Sequence, residues 1–388
     1  MDNLRDQKTV SDEDLQRIPT MSKLDAQEYG EQMRWRDVPG GSFDYNTGGS
    51  SGTPLRFEIG RWRQASDAAA RIRARRWWGV EVGEPEVYLW GAPVELNKTD
   101  VIKSIRDRLL NQLVLNAFEM SAINMDAYLK AIARFDPVCI YGYASSLAQL
   151  ASHARETGSV PKLDRLRVVC TTGEPLFSHQ RELISDVFKA PVANEFGSRD
   201  IGFTAHETPS GQMLLVSESL ILEVLDANGN PVGSGVQGEA VITGLCSDAQ
   251  PFIRYRTGDM VALAEQPCEE GRGLHVLESV SGRTTDFVVK CDGTLMHALS
   301  VIYIMRGVKG VKEFKIIQHD LERIEVQIVT NLDWVDSAHS DIEKQFRLRI
   351  GPSVSVQFVK LDAIPAQASG KHRYVECRVL PKQQEVCG

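Results

Sequence analysis

The chain has 388 residues, with 52 acidic against 44 basic side chains, a formal net charge of -8, and 42% hydrophobic and 25% charged residues. That size supports one large domain plus a smaller one. The negative balance excludes a general attraction for nucleic acid, so any polyanion must be bound locally. The polar start, MDNLRDQKTVSDEDLQ, has no apolar core of a secretory signal, and no run approaches the about 20 apolar residues a membrane helix needs, so the expected location is cytoplasmic, with no membrane partner.

The first motif in chain order is YNTGGSSGTP, Tyr45 to Pro54. Glycine permits positive φ and close backbone approach to an oxyanion, and hydroxyls beside successive N–H groups make an anion-binding nest. No Lys-Ser/Thr pair follows the last glycine, which argues against a P-loop kinase or GTPase. Alone, the stretch reads equally well as a plain turn. SDAAARIRARRWW follows as a helix, and the six arginines between Arg61 and Arg76 read as its solvated face. VIKSIRDRLLNQLVLNAFEM has apolar residues at helical spacing. LDRLRVVCTTGEPL reads as a strand running into a turn, followed by the helix SHQRELISDVF with Ser178 as N-cap.

Beyond it, LLVSESLILEVLDANGNPVGSGVQGEAVITGL alternates β-rich runs with Asn-Gly and Gly-Ser turns. From about Asp286 the pattern changes again. Two strands, FKIIQHD and RIEVQIVT, a helix, SAHSDIEKQFRLRI, and a strand, SVSVQFVKL, describe a small α+β domain. The predicted fold class is α/β: a large N-terminal mixed α/β domain with a β-rich portion, residues 1–284, plus a small C-terminal α+β domain, residues 285–388. The seven cysteines, 139, 170, 246, 268, 291, 377 and 387, stand singly, which predicts reduced and mostly buried thiols.

Five further islands follow the glycine-rich one: TTGEPL from Thr171, EFGSRDIG from Glu195, YRTGD from Tyr255, SGR from Ser281 and SGKHR from Ser369. In this order they resemble the acyl-adenylate-forming ligase superfamily, and RQASDAAARIRARRWWG, LWGAP and YGYASSLAQLA resemble its phenylacetate–CoA ligase-like, coenzyme F390 synthetase and capsular-polysaccharide-type branch. The resemblance runs from about residue 40 to the end. It implies that ATP and a carboxylic acid give an acyl-AMP and pyrophosphate, and that the acyl group passes on to coenzyme A, or to an amine or hydroxyl. The difficulty is electrostatic: two like charges about 4 Å apart repel by about 4 kcal/mol at an effective dielectric near 20, so cations and aimed donors must offset that.

By this resemblance Thr47, Gly48, Gly49, Ser50, Ser51, Gly52 and Thr53 would hold the β- and γ-phosphates. Gly173, Glu174 and Pro175 would lie along the adenine, and Phe196, followed by Gly197, would stack on its other face. Asp200 stands where a glutamate usually helps to bind Mg²⁺, Asp259 would accept the ribose hydroxyls with Arg283 nearby, and Lys371 would bridge the acid and the α-phosphate. Lys371 lies on the small domain, which must therefore be mobile and close to deliver it. Trp90, Gly91, Tyr141 and Tyr143 resemble residues lining an acyl pocket. The arginine helix has a second reading, a patch for coenzyme A phosphates.

Three departures stand out. Cys268 lacks the partner of a zinc-binding pair, the hinge reads Thr285-Asp286 in place of two acids, and few residues precede the glycine loop, which points to compensation by a homodimer partner. The leading expectation is activation of a small aryl or other hydrophobic acid with transfer to coenzyme A. An amine or hydroxyl acceptor, a non-catalytic nucleotide binder and an ADP-forming phosphoryl transferase are the alternatives.

Overall fold

The computed structural model describes residues 11–47, 55–91, 107, 109–117, 119–226, 228–281, 287–292, 295–362, 364 and 374–379. Short helices α1 (Asp12–Gln16), α2 (Lys23–Glu28) and α3 (Gly30–Met33) come first. Ser11 and Ser22 begin the first two with reciprocal capping boxes to Asp14 and Asp25, so each helix start has two of its free amides satisfied. Strands β1 (Ser42–Asn46) and β2 (Arg56–Gly60) then form an antiparallel hairpin that pairs Asn46 with Arg56. Helix α4 (Arg61–Trp77) follows without a break.

The parallel strands are β3 (Glu86–Trp90), β4 (Gln112–Asn116), β5 (Cys139–Tyr143), β6 (Val168–Thr172) and β7 (Val192–Ser198). Between them run α5 (Ala122–Phe135), α6 (Ala144–Thr157) and α7 (Ser178–Phe188). β5 and β6 are buried at every position, as strands covered on both faces must be. Antiparallel strands β8 (Gly202–Glu207), β9 (Met213–Leu215), β10 (Leu220–Leu225), β11 (Gly238–Gly244), β12 (Tyr255–Leu263) and β13 (Val276–Ser281) extend the sheet. Its order of 11 strands is β10-β11-β12-β13-β9-β8-β7-β6-β5-β3-β4. The mixed α/β fold with a β-rich later part is as expected from sequence.

A second core forms around a separate sheet of 4 strands, ordered β18-β17-β16-β19. Its elements are β14 (Phe287–Val289), β15 (Leu295–His297), α8 (Leu299–Arg306), β16 (Val311–Gln318), β17 (Arg323–Thr330), α9 (Ala338–Ile350), β18 (Ser355–Lys360) and β19 (Val375–Cys377). Ile316, Val326 and Phe346, each fully buried, join sheet and helix. Residues 282–286, where the expected boundary falls, lie outside the described residues. Among the described residues no helix is long and apolar enough to cross a membrane.

Three local expectations are corrected. The run QLVLN, read as helical, is strand β4, paired in parallel with β3 and preceded by Asn111 at φ 56, a left-handed residue that breaks a helix. The N-cap of α7 is Phe177, one residue early; its N–H donates to the Gln180 side chain, and Ser178 makes no cap. Most consequential, Arg63 and Arg75 of the supposedly solvated arginine face are each only 4% exposed. Buried Ala70 and Ala74 let α4 sit close to the sheet, and that draws two arginines inward.

Candidate functional site

In a sheet of this kind ligands gather beyond the carboxyl ends of the parallel strands. β5 ends at Tyr143, and β6 runs into Gly173 and Glu174. Gly173 has φ +72°, which favours glycine, and a Cβ there would stand 3.2 Å from Tyr143 Cε1, a tight approach. Glu174 is buried. Its carboxylate accepts from the Ser145 N–H at 2.8 Å and the Ser145 hydroxyl at 3.0 Å, which ties the turn to the start of α6. Pro175 continues the turn half-buried. Trp90, at the end of β3, stacks on Tyr143 at 4.4 Å and 16° and on Tyr141 at 5.8 Å, and buried Gly91 follows it. The three aromatics singled out in the sequence thus form one ladder.

On β7, Phe196 is buried among Ile201, Ala205 and Leu215, so its ring faces protein. Gly197 sits at a register shift where a Cβ would meet the Gly202 carbonyl at 2.5 Å. The turn that follows is a polar centre. Asp200, 6% exposed, accepts from the Ser198 hydroxyl and, at 2.9 Å, from the Tyr255 hydroxyl of β12. Arg63 donates to the carbonyls of Asp200 at 2.6 Å and Arg199 at 3.0 Å. Arg199 in turn donates to the Asn46 carbonyl at 3.4 Å, beside Thr47. Thr47 closes the foot of the glycine-rich loop: its hydroxyl accepts from the Leu55 N–H at 2.9 Å. Burial weakens the proton affinity of the Arg63 guanidinium, with Asp67 and Asp200 working the other way.

Asp259 is half-buried on β12 after Gly258, which has φ +78° at an irregularity in the β11–β12 pairing. Its N–H donates to Thr257 Oγ1 at 3.1 Å. The YRTGD island is therefore a bulged strand and not a free turn. Gly48, Gly49, Ser50, Ser51, Gly52, Thr53, Arg283 and Lys371 lie outside the described residues.

A cavity of about 360 Å³ opens between the two units. Tyr143, Ser145 and Glu174 line it on the large side; Met296, Ser300 and Arg349 line it on the small side. Burial pushes the Arg349 guanidinium down to about 10, and its Nη1 donates to the Ser300 carbonyl. Lys290, held below its ordinary range by burial, donates across the interface to Gln149 Oε1 at 3.0 Å. Residues that sequence reasoning missed are Arg63, Ser145, Glu195 and Tyr255. All four stand inside motifs already noted, Arg63, Glu195 and Tyr255 as the first residue of theirs, but their roles come from partners far away in the chain.

The residues 288–377 match the model of the CapK C-terminal domain family. Protein CapK of Staphylococcus aureus is 22% identical over 332 residues, 84% of this chain and 72% of that one. Phenylacetate-coenzyme A ligase of Thermus thermophilus is 28% identical over 156 residues, 39% of this chain and 34% of that one. Among solved structures, 2-hydroxyisobutyryl-CoA ligase in complex with 2-HIB-AMP and CoA in the thioesterification state superposes with a TM-score of 0.62, at 20% identity, over 94% of this chain and 81% of that one.

Proposed function

Because the chain resembles the acyl-adenylate-forming ligase superfamily in both sequence and fold, we propose that it joins ATP and a small carboxylic acid into an acyl-adenylate, releasing pyrophosphate, and then hands the acyl group to an acceptor. The observation that carries this reading is the tie among three distant islands. The foot of the glycine-rich loop, the Asp200 turn and Tyr255 are bonded in one chain of contacts through Arg199 and Arg63. Nothing about a plain surface turn calls for such a link.

In this reading the loop from Thr47 to Thr53 cradles the phosphates, Gly173 to Pro175 flank the adenine, and Asp259, with Arg283, receives the ribose. Lys371 arrives with the small domain, residues 285–388, and places its ammonium between the attacking carboxylate and the α-phosphate. That offsets the repulsion between two anions where it is greatest. Asp200 does not fit the role of magnesium ligand: both oxygens accept hydroxyl hydrogen bonds, and the side chain is buried.

The acceptor approaches through the interdomain cavity, whose 360 Å³ lies within the range of small-molecule sites. Coenzyme A is the first candidate, in keeping with the ligase it superposes on. An amine or hydroxyl acceptor is the second, favoured by the polar lining of Ser145, Ser300 and Arg349.

Pyrophosphate exchange with a panel of acids tests the first half, and the nucleotide released is to be AMP. ADP as product overturns the reading. Lys371→Ala is expected to lower exchange by about 10²–10³, with ATP binding little changed. Thioester formation with coenzyme A, measured beside amide or ester formation, decides between the acceptors.

A further inference from the structure

Behind the aromatic ladder lies a second buried polar cluster. It sits between α4 and the sheet, and nothing described so far uses it. Glu195 of β7, 7% exposed, accepts on Oε1 from the Tyr141 hydroxyl at 2.7 Å and the Thr172 hydroxyl at 3.0 Å, while its Oε2 is buried without a partner. Arg75 lies 4.8 Å over the Tyr141 ring. Its Nε is 3.4 Å from Glu86 Oε2 as an ion pair, yet Nε, Nη1 and Nη2 are all buried and make no hydrogen bond.

His206, 1% exposed, is the register partner of Glu195 on β8. Its Nδ1 lies 2.8 Å from the Glu207 carbonyl, so in the neutral ring Nδ1 carries the proton and Nε2 is a bare acceptor. Nε2 makes no hydrogen bond of ordinary geometry, the Cys170 thiol being its neighbour. Arg75 thus carries unmet donors, and Glu195 and His206 carry unmet acceptors, and buried polar groups left this way ask for an occupant. Arg71, on the exposed face of α4, adds a second positive charge that acts on Tyr141 and Glu195.

Its place in the site says what the occupant is. Thr172 is the residue before Gly173, and Glu195 the residue before Phe196. The Thr172 hydroxyl, which donates to Glu195, therefore ties the cluster to the strand end from which the turn assigned to the adenine departs. Resting on the adenylation reading, we infer that the Arg75–Glu195–His206 cluster binds the tail of the carboxylic acid, and that this tail is a neutral group able both to donate and to accept, a carboxamide or a hydroxyl. Arg75 donates to the tail; Glu195 Oε2 and His206 Nε2 accept from it. A carboxylate tail pairs with Arg75 but meets Glu195, and an ammonium tail pairs with Glu195 but meets Arg75, so a neutral tail that both donates and accepts suits all three groups. A purely hydrocarbon tail leaves every one of these groups unsatisfied. Among the expected aryl and other small acids, this selects those with a polar tail.

The test is ATP–pyrophosphate exchange by the full chain with two matched pairs, succinamate against valerate and 4-hydroxyphenylacetate against phenylacetate. Calorimetric binding of the same acids runs beside it. The polar member of at least one pair is expected to lead by about tenfold or more in kcat/KM, and Glu195→Gln and Arg75→Met are each expected to pull that ratio toward one. A purely structural role for these residues lowers both members alike and leaves the ratio where it was, which overturns the inference; so does a lead for the hydrocarbon acids. Should Arg75→Met not fold, the near-isosteric Glu195→Gln carries the test. If no acid supports exchange, the adenylation reading fails. Polar-acid binding that is lost in Glu195→Gln then still upholds the cluster as a site, and absence of binding by either polar acid refutes it.

Discussion

Two buried polar centres flank the same strand ends, and they are built on opposite terms. Around Asp200, each charge is answered: Arg63 by two carbonyls, Asp200 by two hydroxyls, and none of the Arg63, Asp200 or Tyr255 polar atoms is a buried orphan. Around Glu195 a cation, a carboxylate and an imidazole share a space without completing their hydrogen bonds. The first centre behaves as a clasp, since a satisfied buried network fixes one arrangement. The second is expensive as it stands, because each unmet group costs about 1–3 kcal/mol. A fold keeps such groups together where something else completes them.

Substitutions can break that contrast or sharpen it. The largest effect is expected from Arg63→Met, which strands two carbonyls and leaves Asp67 and Asp200 without their cation; urea unfolding should show a loss of about 3–5 kcal/mol. Arg75→Met gives up no hydrogen bond but strands Glu86, its ion-pair partner, so its cost should be smaller by about 1 kcal/mol; equal costs for the two would erase the distinction between the centres. Tyr255→Phe removes one bond to a carboxylate and should cost about 2 kcal/mol by the same measurement, with pyrophosphate exchange falling as the Asp200 turn loosens. Combining Arg75→Met with Glu195→Gln should cost less than the sum of the singles by about 1 kcal/mol, because each single leaves a charge that the other removes. Strict additivity would show that the two side chains do not interact.

The smallest effect lies away from both centres and serves as their control. The Lys315 ammonium, bonded at 2.7 Å, together with Arg378, holds Glu376 down to about 2 from its ordinary 4.5. A depressed acid stabilises the folded state above its unfolded value, and that support is lost as pH falls from 4.5 toward 2. Hydrogen exchange should therefore report loosening between β16 and β19 over that window, an effect that Lys315→Met removes.

Much of this was legible in the chain. The helix SHQRELISDVF and the strand RIEVQIVT appear at the residues their periodicity gives, because local pattern and final burial agree there. Composition and turn residues announced a mixed α/β unit followed by a small α+β one. What was misread has one cause. QLVLN carries leucines compatible with helix or strand, and pairing with β3 decided the matter. The arginines of α4 carry no local mark separating Arg61, which is exposed, from Arg63 and Arg75, which are buried.

The sequence by itself determined the order of the motifs, the division into a larger and a smaller unit, and the chemistry each glycine or hydroxyl could offer. Only the tertiary structure decided which charges meet. Arg63 finds its carbonyls 136 and 137 residues away; Glu195 meets Tyr141 across 54. Hydrogen bonds and charge contacts act over a few ångströms of space and carry no signature along the chain, so neither the clasp nor the unsatisfied cluster could be read before the sheet brought its strands together.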